Sequence, residues 1–338
     1  MYDIQALARS IPIQRLDIPL FAGFTQPIYL IRLDKIQLTS SGRLAGNKVF
    51  KLLPTLVQVK AQTAKGQVPQ MISFGGAWSN HLHALAAAGQ HYGIATVGIV
   101  RGERKPVLTP TLRDCIAMGM RLQFVSRGHY RRLQQADALA CLQQQFGFAT
   151  VIPVGGSNLG GLQGARAMGQ VLATRLPADV ADIWLAAATG GTAAGLIAGV
   201  SSAKQPVYTG QVTAVNVLRH CDMAHDIGGF LRQLDAMGRN KMCEKGTASQ
   251  AWRVMDGYHC GGYARVNKAL LAFHQQLESE LGEPVDQVYM AKLFFALWSH
   301  LGSQPSAKRS SQAATAGNAK PSAIAIIHSG GQQGRRPQ

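Results

Sequence analysis

Apolar runs four to six residues long recur along this chain, and each is followed by glycine or by a segment with helical spacing. Ile28–Arg32, Gln70–Phe74, Thr96–Val100, Leu122–Val125, Thr150–Val154, Ile183–Ala187, Val212–Val217 and Ala323–Ile327 all read as strands. The Ala-rich stretch His81–His91 reads as a helix, and another begins at Thr192. Few folds accommodate such alternation. A strand that is apolar throughout must be covered on both faces, and helices that follow strands supply the cover. The pattern therefore predicts α/β architecture with parallel sheets, in which ligands bind beyond the carboxyl ends of the strands.

Four glycine pairs fall at such ends: Gly75-Gly76, Gly155-Gly156, Gly190-Gly191 and Gly330-Gly331. Each permits a positive φ and close approach of the backbone to a ligand. One pair alone is explained by a tight turn. Four together point to a shared crevice.

The stretch "GRLAGNKVFKLLP", residues 42–54, places Lys48 and Lys51 three apart at an expected helix start. Lysines at that spacing share a helix face and repel. Either they form a solvated basic edge, or an anion, with an aldehyde beside it, lies between them.

The charge balance tests a different class of function. Lys plus Arg number 34 against 17 Asp plus Glu, giving +17. A basic excess of this size suits nucleic acid or an acidic membrane. However, no run of five like charges occurs, and this argues against a nucleic-acid partner. The five cysteines, Cys115, Cys141, Cys221, Cys243 and Cys260, include no CxxC pair, so reduced thiols are expected and a zinc site is not. The N-terminal segment has no apolar core long enough for a signal peptide, and no apolar run approaches a membrane span. A cytoplasmic protein with no membrane contact is expected. Residues 303–322, rich in Ser, Ala, Gln and Lys, read as a disordered loop.

Individual sites carry competing readings. Ser79 and Asn80 stand at a strand-to-helix turn, where backbone N–H groups attract anions; Ser79 is equally readable as an N-cap. His81 and His83, at i and i+2, point apart on a helix, which disfavours shared metal ligation. The segment "ATGGTAAG", Ala188–Gly195, suits one phosphate but is neither GxGxxG nor a Walker loop. Tyr289 is a candidate acid/base group, although a lone Tyr on a helix is usually core. Ser329 places a hydroxyl at the end of the last strand.

Taken in order, Asp34, "AGNKVFKL", "SFGGAWSNH", "PVGGSNLGGLQG", "ATGGTAAG", "GGYARVN", "DQVYMAK" and "IIHSGGQQG" resemble the 1-aminocyclopropane-1-carboxylate deaminase / D-cysteine desulfhydrase family. The similarity runs from about Leu30 to the C-terminus, apart from 303–322. It implies pyridoxal 5′-phosphate as cofactor and the tryptophan-synthase-β architecture, fold type II. It further implies a larger cofactor-binding domain from 1–50 and 157–338 and a smaller α/β domain from 51–156. By this resemblance Lys48 carries the cofactor as a Schiff base, its pKa lowered by the neighbouring cation, and Lys51 contacts the phosphate. Asn80 contacts the ring hydroxyl, and Ser79 faces the substrate. Thr189, Gly190, Gly191 and Thr192 cradle the phosphate, while Ser329 lies near the pyridine nitrogen. Tyr263 and Tyr289 match the two active-site tyrosines.

Two departures bear on the substrate. Ring-opening deaminases of the family carry glutamate after the tyrosine matching Tyr289 and leucine at the place of Ser329. Here those positions are Met290 and Ser329. The expectation is a homodimeric enzyme that acts on a small amino acid. Its reaction would be β-elimination of D-cysteine to pyruvate, sulfide and ammonia. The alternatives are a 1-aminocyclopropane-1-carboxylate deaminase, a catalytically inactive pyridoxal-phosphate-binding homologue, and a basic nucleic-acid-binding protein.

Overall fold

The computed structural model describes residues 3–63, 69–146, 149–203, 208–219, 222–237, 251–304 and 322–331. Ten strands occur among them: β1 (Ile13–Arg15), β2 (Ile28–Arg32), β3 (Gln70–Gly75), β4 (Ala95–Arg101), β5 (Arg121–Val125), β6 (Ala149–Ile152), β7 (Val180–Ala187), β8 (Gln211–Asn216), β9 (Ala251–Met255) and β10 (Ala323–His328). The helices are α1 (Ile4–Arg9), α2 (Asn47–Thr63), α3 (Asn80–Tyr92), α4 (Pro110–Ala117), α5 (Arg127–Arg132), α6 (Ala136–Gln145), α7 (Leu159–Ala173), α8 (Gly191–Ser201), α9 (Met223–Met237), α10 (Lys268–Leu281) and α11 (Met290–Ser303). No described helix is long and apolar enough to cross a membrane. The expected loop at 303–322 lies almost wholly outside the described residues; Ser303 ends α11 and Gln304 caps it.

The strands form two sheets. One has six strands in the order β1-β2-β10-β7-β8-β9, the other four in the order β5-β4-β3-β6. Every pairing is parallel except β1 with β2. The central strands are apolar because helices cover both of their faces. In β10 all six residues are buried. Trp184, Ile326 and Leu30 lie side by side across three strands and face a core built with Leu270, Phe273, Phe294 and Leu297 of α10 and α11. The opposite face packs on α2, α7 and α8. A third cluster, with Ile72, Val97, Tyr130 and Leu142, joins the smaller sheet to α5 and α6.

The four-stranded sheet lies within residues 51–156. The boundary expected at 50/51 falls inside α2, whose main packing partner is α7. That contact has a local cause. Pro54 lies inside α2 and has no N–H to give the carbonyl of Phe50, four residues earlier. Gly164 of α7 packs directly on this carbonyl, and a Cβ there would collide with it. The two helices therefore meet backbone to backbone.

Candidate active site

The carboxyl ends of both sheets open onto one cavity of about 1140 Å³. Each glycine pair contributes to its wall through Gly75 and Gly76, Gly155, Gly190 or Gly331. The physical reasons differ from pair to pair. Gly155, Gly156, Gly190, Gly330 and Gly331 have positive φ, but Gly75 and Gly76 do not. Gly75 is required for space, because a Cβ there would lie 2.5 Å from Ser79 Oγ and 2.7 Å from a Leu82 methyl. The freedom in φ that glycine offers is therefore not used at this pair.

Helix α2 starts where Gly46, at φ 71°, crosses the end of β10. A Cβ on Gly46 would strike the Ser329 carbonyl, and the Asn47 N–H donates to that carbonyl at 3.1 Å. The strand end that bears Ser329 and the helix start that bears Lys48 are thus fastened together.

The two lysines occupy different surroundings, and neither forms a solvated edge. Lys48 lines the cavity, and the surface it retains opens there. Burial lowers its pKa to about 8. Lys51 is 1% exposed and lies behind the wall. Its Nζ is 3.1 Å from Ser157 Oγ, which is 3.0 Å from Thr189 Oγ1. A Cβ on Gly191 would lie 2.9 Å from Lys51 Nζ. Burial, with repulsion from Lys48, holds the Lys51 amine well below the ordinary lysine range. The expected cause at Lys48 is therefore corrected: burial lowers its pKa, and the repulsion is expressed at the deeper Lys51.

The described hydrogen bonds give Lys51 a hydroxyl partner and no carboxylate. A buried amine without a counter-charge gains most when an anion joins it. Gly190, left-handed at φ 73°, opens α8 with no side-chain cap, so the first N–H groups of α8 remain available to the same anion. Asn47 Nδ2 donates to Thr192 Oγ1 at 3.2 Å, fixing that hydroxyl at the helix start. A phosphate fits this corner, and an aldehyde fits Lys48.

The opposite wall presents side chains. Ser79 both caps α3, accepting from the Leu82 N–H at 3.2 Å, and lines the cavity with Asn80. Tyr263 donates to the Trp78 carbonyl at 2.8 Å and meets Tyr289 edge-on, with ring centroids 6.4 Å apart. Burial raises both phenols, Tyr263 to about 12, so both remain protonated at neutral pH. Tyr289 is not on a helix, as the sequence reading had it, but at the residue before α11. Ser329 lines the cavity and donates to the Met290 thioether at 3.7 Å.

The cavity thus brings together Lys48, Ser79, Asn80, Thr189, Gly190, Thr192, Tyr263, Tyr289 and Ser329; Lys51 and Gly191 form the layer behind. His81 and His83 turn to different partners, Ser73 and Asp114. The Ser73 hydroxyl donates to the Ile152 carbonyl, so His81 must donate to it from Nε2. Burial and the two lysines keep this imidazole neutral. Asp34, Glu283 and His328 also cluster, but Arg32 Nη2 is 2.7 Å from both carboxylates and supplies their counter-charge.

Sequence reasoning missed Ser157, whose motif was legible but whose bond to Lys51 was not. It also missed Lys292. This buried ammonium donates at 2.8 Å to the carbonyls of both His259 and Gly262. It holds a loop in which Cys260 and Ala264 have positive φ and which carries Tyr263. No local pattern announces such a long-range tie.

No family model matches the chain. The fold is that of pyridoxal-phosphate enzymes of type II. A solved structure described as an ACC deaminase homologue covers 99% of this chain and 97% of its own, with a TM-score of 0.73 at 21% identity. A pyridoxal 5′-phosphate-dependent aspartate racemase covers 95% and 90%, with a TM-score of 0.57 at 13% identity. Among curated proteins, one from Thermotoga maritima, provisionally assigned as a 1-aminocyclopropane-1-carboxylate deaminase, is 30% identical over 270 residues, covering 79% of this chain and 81% of its own. The bifunctional D-cysteine desulfhydrase/1-aminocyclopropane-1-carboxylate deaminase of Arabidopsis thaliana, a mitochondrial protein, is 27% identical over 280 residues, covering 78% of this chain and 65% of its own. The chain belongs to the 1-aminocyclopropane-1-carboxylate deaminase / D-cysteine desulfhydrase family.

Proposed function

We propose that this protein uses pyridoxal phosphate to eliminate the β-substituent of a small amino acid, D-cysteine being the first substrate to assay. The observation that carries this reading is the lysine pair on one helical turn. One amine faces the cavity, and the other is held against Ser157 at the start of an uncapped helix. Lys48 would hold the cofactor's aldehyde carbon. Lys51 with Thr189, Gly190, Gly191 and Thr192 would hold the phosphate, and Asn80 and Ser329 would hold the ring. Bound there, pyridoxal phosphate supplies an electron sink that stabilises a carbanion at the substrate's Cα.

The remaining chemistry belongs to the chain. With its pKa near 8, Lys48 is neutral in about a tenth of molecules at pH 7. A neutral amine can both attack a carbonyl and accept the Cα proton at Nζ. Ser79, at the N-terminus of α3, orients the substrate carboxylate. Tyr289, kept protonated by burial, can donate to the departing sulfur, while Tyr263, whose own proton goes to the Trp78 carbonyl, positions it. D-cysteine and one water then give pyruvate, ammonia and hydrogen sulfide.

A second reading, ring opening of 1-aminocyclopropane-1-carboxylate, draws support from the names of the Thermotoga and Arabidopsis relatives. Met290 weakens it, because a buried thioether has no proton to transfer. The test is a visible spectrum of purified protein loaded with pyridoxal phosphate, taken with product analysis. D-cysteine should shift the bound-cofactor band and release equimolar sulfide and pyruvate. Lys48→Ala should lower turnover by at least about three orders of magnitude. Production of 2-oxobutanoate without sulfide would replace this reading with the second, and the absence of any cofactor band would remove both.

A further inference from the structure

Behind the two tyrosines lie two buried charges that the proposed reaction does not use. Asp286 is 3% exposed, and Lys292 is fully buried. Asp286 Oδ1 accepts from the N–H groups of Val288 at 3.1 Å and Tyr289 at 2.8 Å, and Oδ2 accepts from that of Met290 at 3.1 Å. Three donors to one carboxylate fix the turn that carries Tyr289 into α11. Lys292, on the same helix, reaches the other tyrosine. Its Nζ donates to the carbonyls of His259 and Gly262. Each carbonyl also closes a turn, His259 for the N–H of Gly262 and Gly262 for that of Arg265. The ammonium thus clamps two successive turns, and its second carbonyl belongs to the peptide that leads into Tyr263.

The clamp acts on a backbone that needs one. From Gly257 to Ala264 five residues have positive φ, and two of them, Cys260 at 51° and Ala264 at 55°, are not glycine. Left-handed backbone at such residues is costly and persists only where surrounding contacts impose it. The loop delivers Tyr263, which is tied to the Trp78 carbonyl and lies edge-on to Tyr289. Each tyrosine is therefore gripped through its main chain by one of the two charges. Burial raises Asp286 to about 6 and lowers Lys292, and each charge offsets part of the other's shift. Removing one leaves the other buried without its counter-charge.

We infer that Lys292 is a positioning residue for the elimination: its ammonium, balanced by Asp286, sets the Tyr263 loop so that the Tyr289 hydroxyl meets the leaving group. The inference rests on the β-elimination proposed above and adds a requirement set behind the cavity wall. In that reaction the sulfur takes both electrons of the Cβ–S bond. The Tyr289 O–H, aimed at the sulfur, lowers the cost of the charge that accumulates there. Chloride is a far weaker base and leaves without such help. A misplaced Tyr289 should slow the loss of sulfur and spare the loss of chloride.

The test compares pyruvate release from D-cysteine and 3-chloro-D-alanine by three holoenzymes: wild type, Lys292→Met and the double variant Lys292→Met/Asp286→Asn. The single variant strands the Asp286 charge and should unfold at lower urea. The double variant removes both charges, keeps an oxygen for the Tyr289 N–H, and should recover most of that shift. In both variants kcat for D-cysteine should fall at least about tenfold, while that for 3-chloro-D-alanine changes by less than about threefold. Equal effects on the two compounds would overturn the inference and leave β-elimination standing. So would D-cysteine turnover that recovers together with stability in the double variant. If the wild type consumes neither compound, β-elimination fails, and hydrogen exchange decides the role of Lys292. The amides of Gly262 and Arg265 should exchange at least about tenfold faster in the double variant than in the wild type; unchanged exchange rejects the clamp.

Discussion

Two strand-to-helix turns, one from each sheet, line this cavity, and both are built on a glycine pair. After β3 the chain turns through Gly75-Gly76, and Ser79 caps α3 with its own hydroxyl. After β7 it turns through Gly190-Gly191, and α8 starts without a side-chain cap. The first pair is glycine for lack of room at Gly75; the second, for its left-handed backbone at Gly190. The capped turn has satisfied one of its own donors and presents side chains, Ser79 and Asn80, which can select a substrate. The uncapped turn presents bare N–H groups, which suit any phosphate. The same dipeptide thus supports selectivity on one wall and anchorage on the other.

The largest effect should come from Lys51, which backs the uncapped turn. Hydrogen bonds to charged groups contribute ~1.5–3 kcal/mol, so Lys51→Met should weaken pyridoxal-phosphate binding about 10- to 100-fold. The same change should leave the apoprotein as stable or more so, since a buried amine gives way to an apolar chain. Equilibrium dialysis and urea denaturation read the two; unchanged affinity would break the contrast between the turns. Gly75→Ala tests the other wall. Overpacking against Ser79 and Leu82 should cost ~1–3 kcal/mol in urea denaturation.

Ser79→Ala removes the cap and should destabilise by ~1 kcal/mol. Its larger consequence should be a raised KM, with cofactor affinity held, because the hydroxyl faces the cavity. A loss of cofactor with no change in KM would place anchorage on both walls. A further test is in pH. Covalent capture of pyridoxal by the apoprotein, trapped with borohydride, should rise about tenfold per unit and level off near pH 8, where Lys48 becomes neutral, well below the ~10.4 of a free lysine. A rise that continues to pH 10 would mean that Lys48 is better solvated than its position implies.

Much of this was legible in the sequence for a simple reason. Strands buried on both faces leave unbroken apolar runs, and every such run from Ile28 to Ile327 lies in a sheet at nearly the expected residues. β1 and β9 left no such mark. Each lies at an edge, one is three residues long, and the other carries Arg253 at its centre. The lysine pair and the glycine pairs were visible, but the reason for each was not. Whether a glycine provides space or a left-handed turn depends on how the chain folds back over it, as Ser79 and Leu82 do on Gly75, and whether a lysine faces a cavity or its wall depends on contacts as distant as that of Lys51 with Ser157.

The missing N–H of Pro54 has a mechanical consequence. Because Phe50's carbonyl rests on Gly164, the gap between α2 and α7 is gauged by main-chain atoms that every residue possesses. α2 carries both lysines; α7 follows directly from Ser157 and packs on α8, whose start forms the phosphate corner. This junction works as a datum face, from which the reach of Lys48 and Lys51 is measured. A single methyl at position 164 would move that measure.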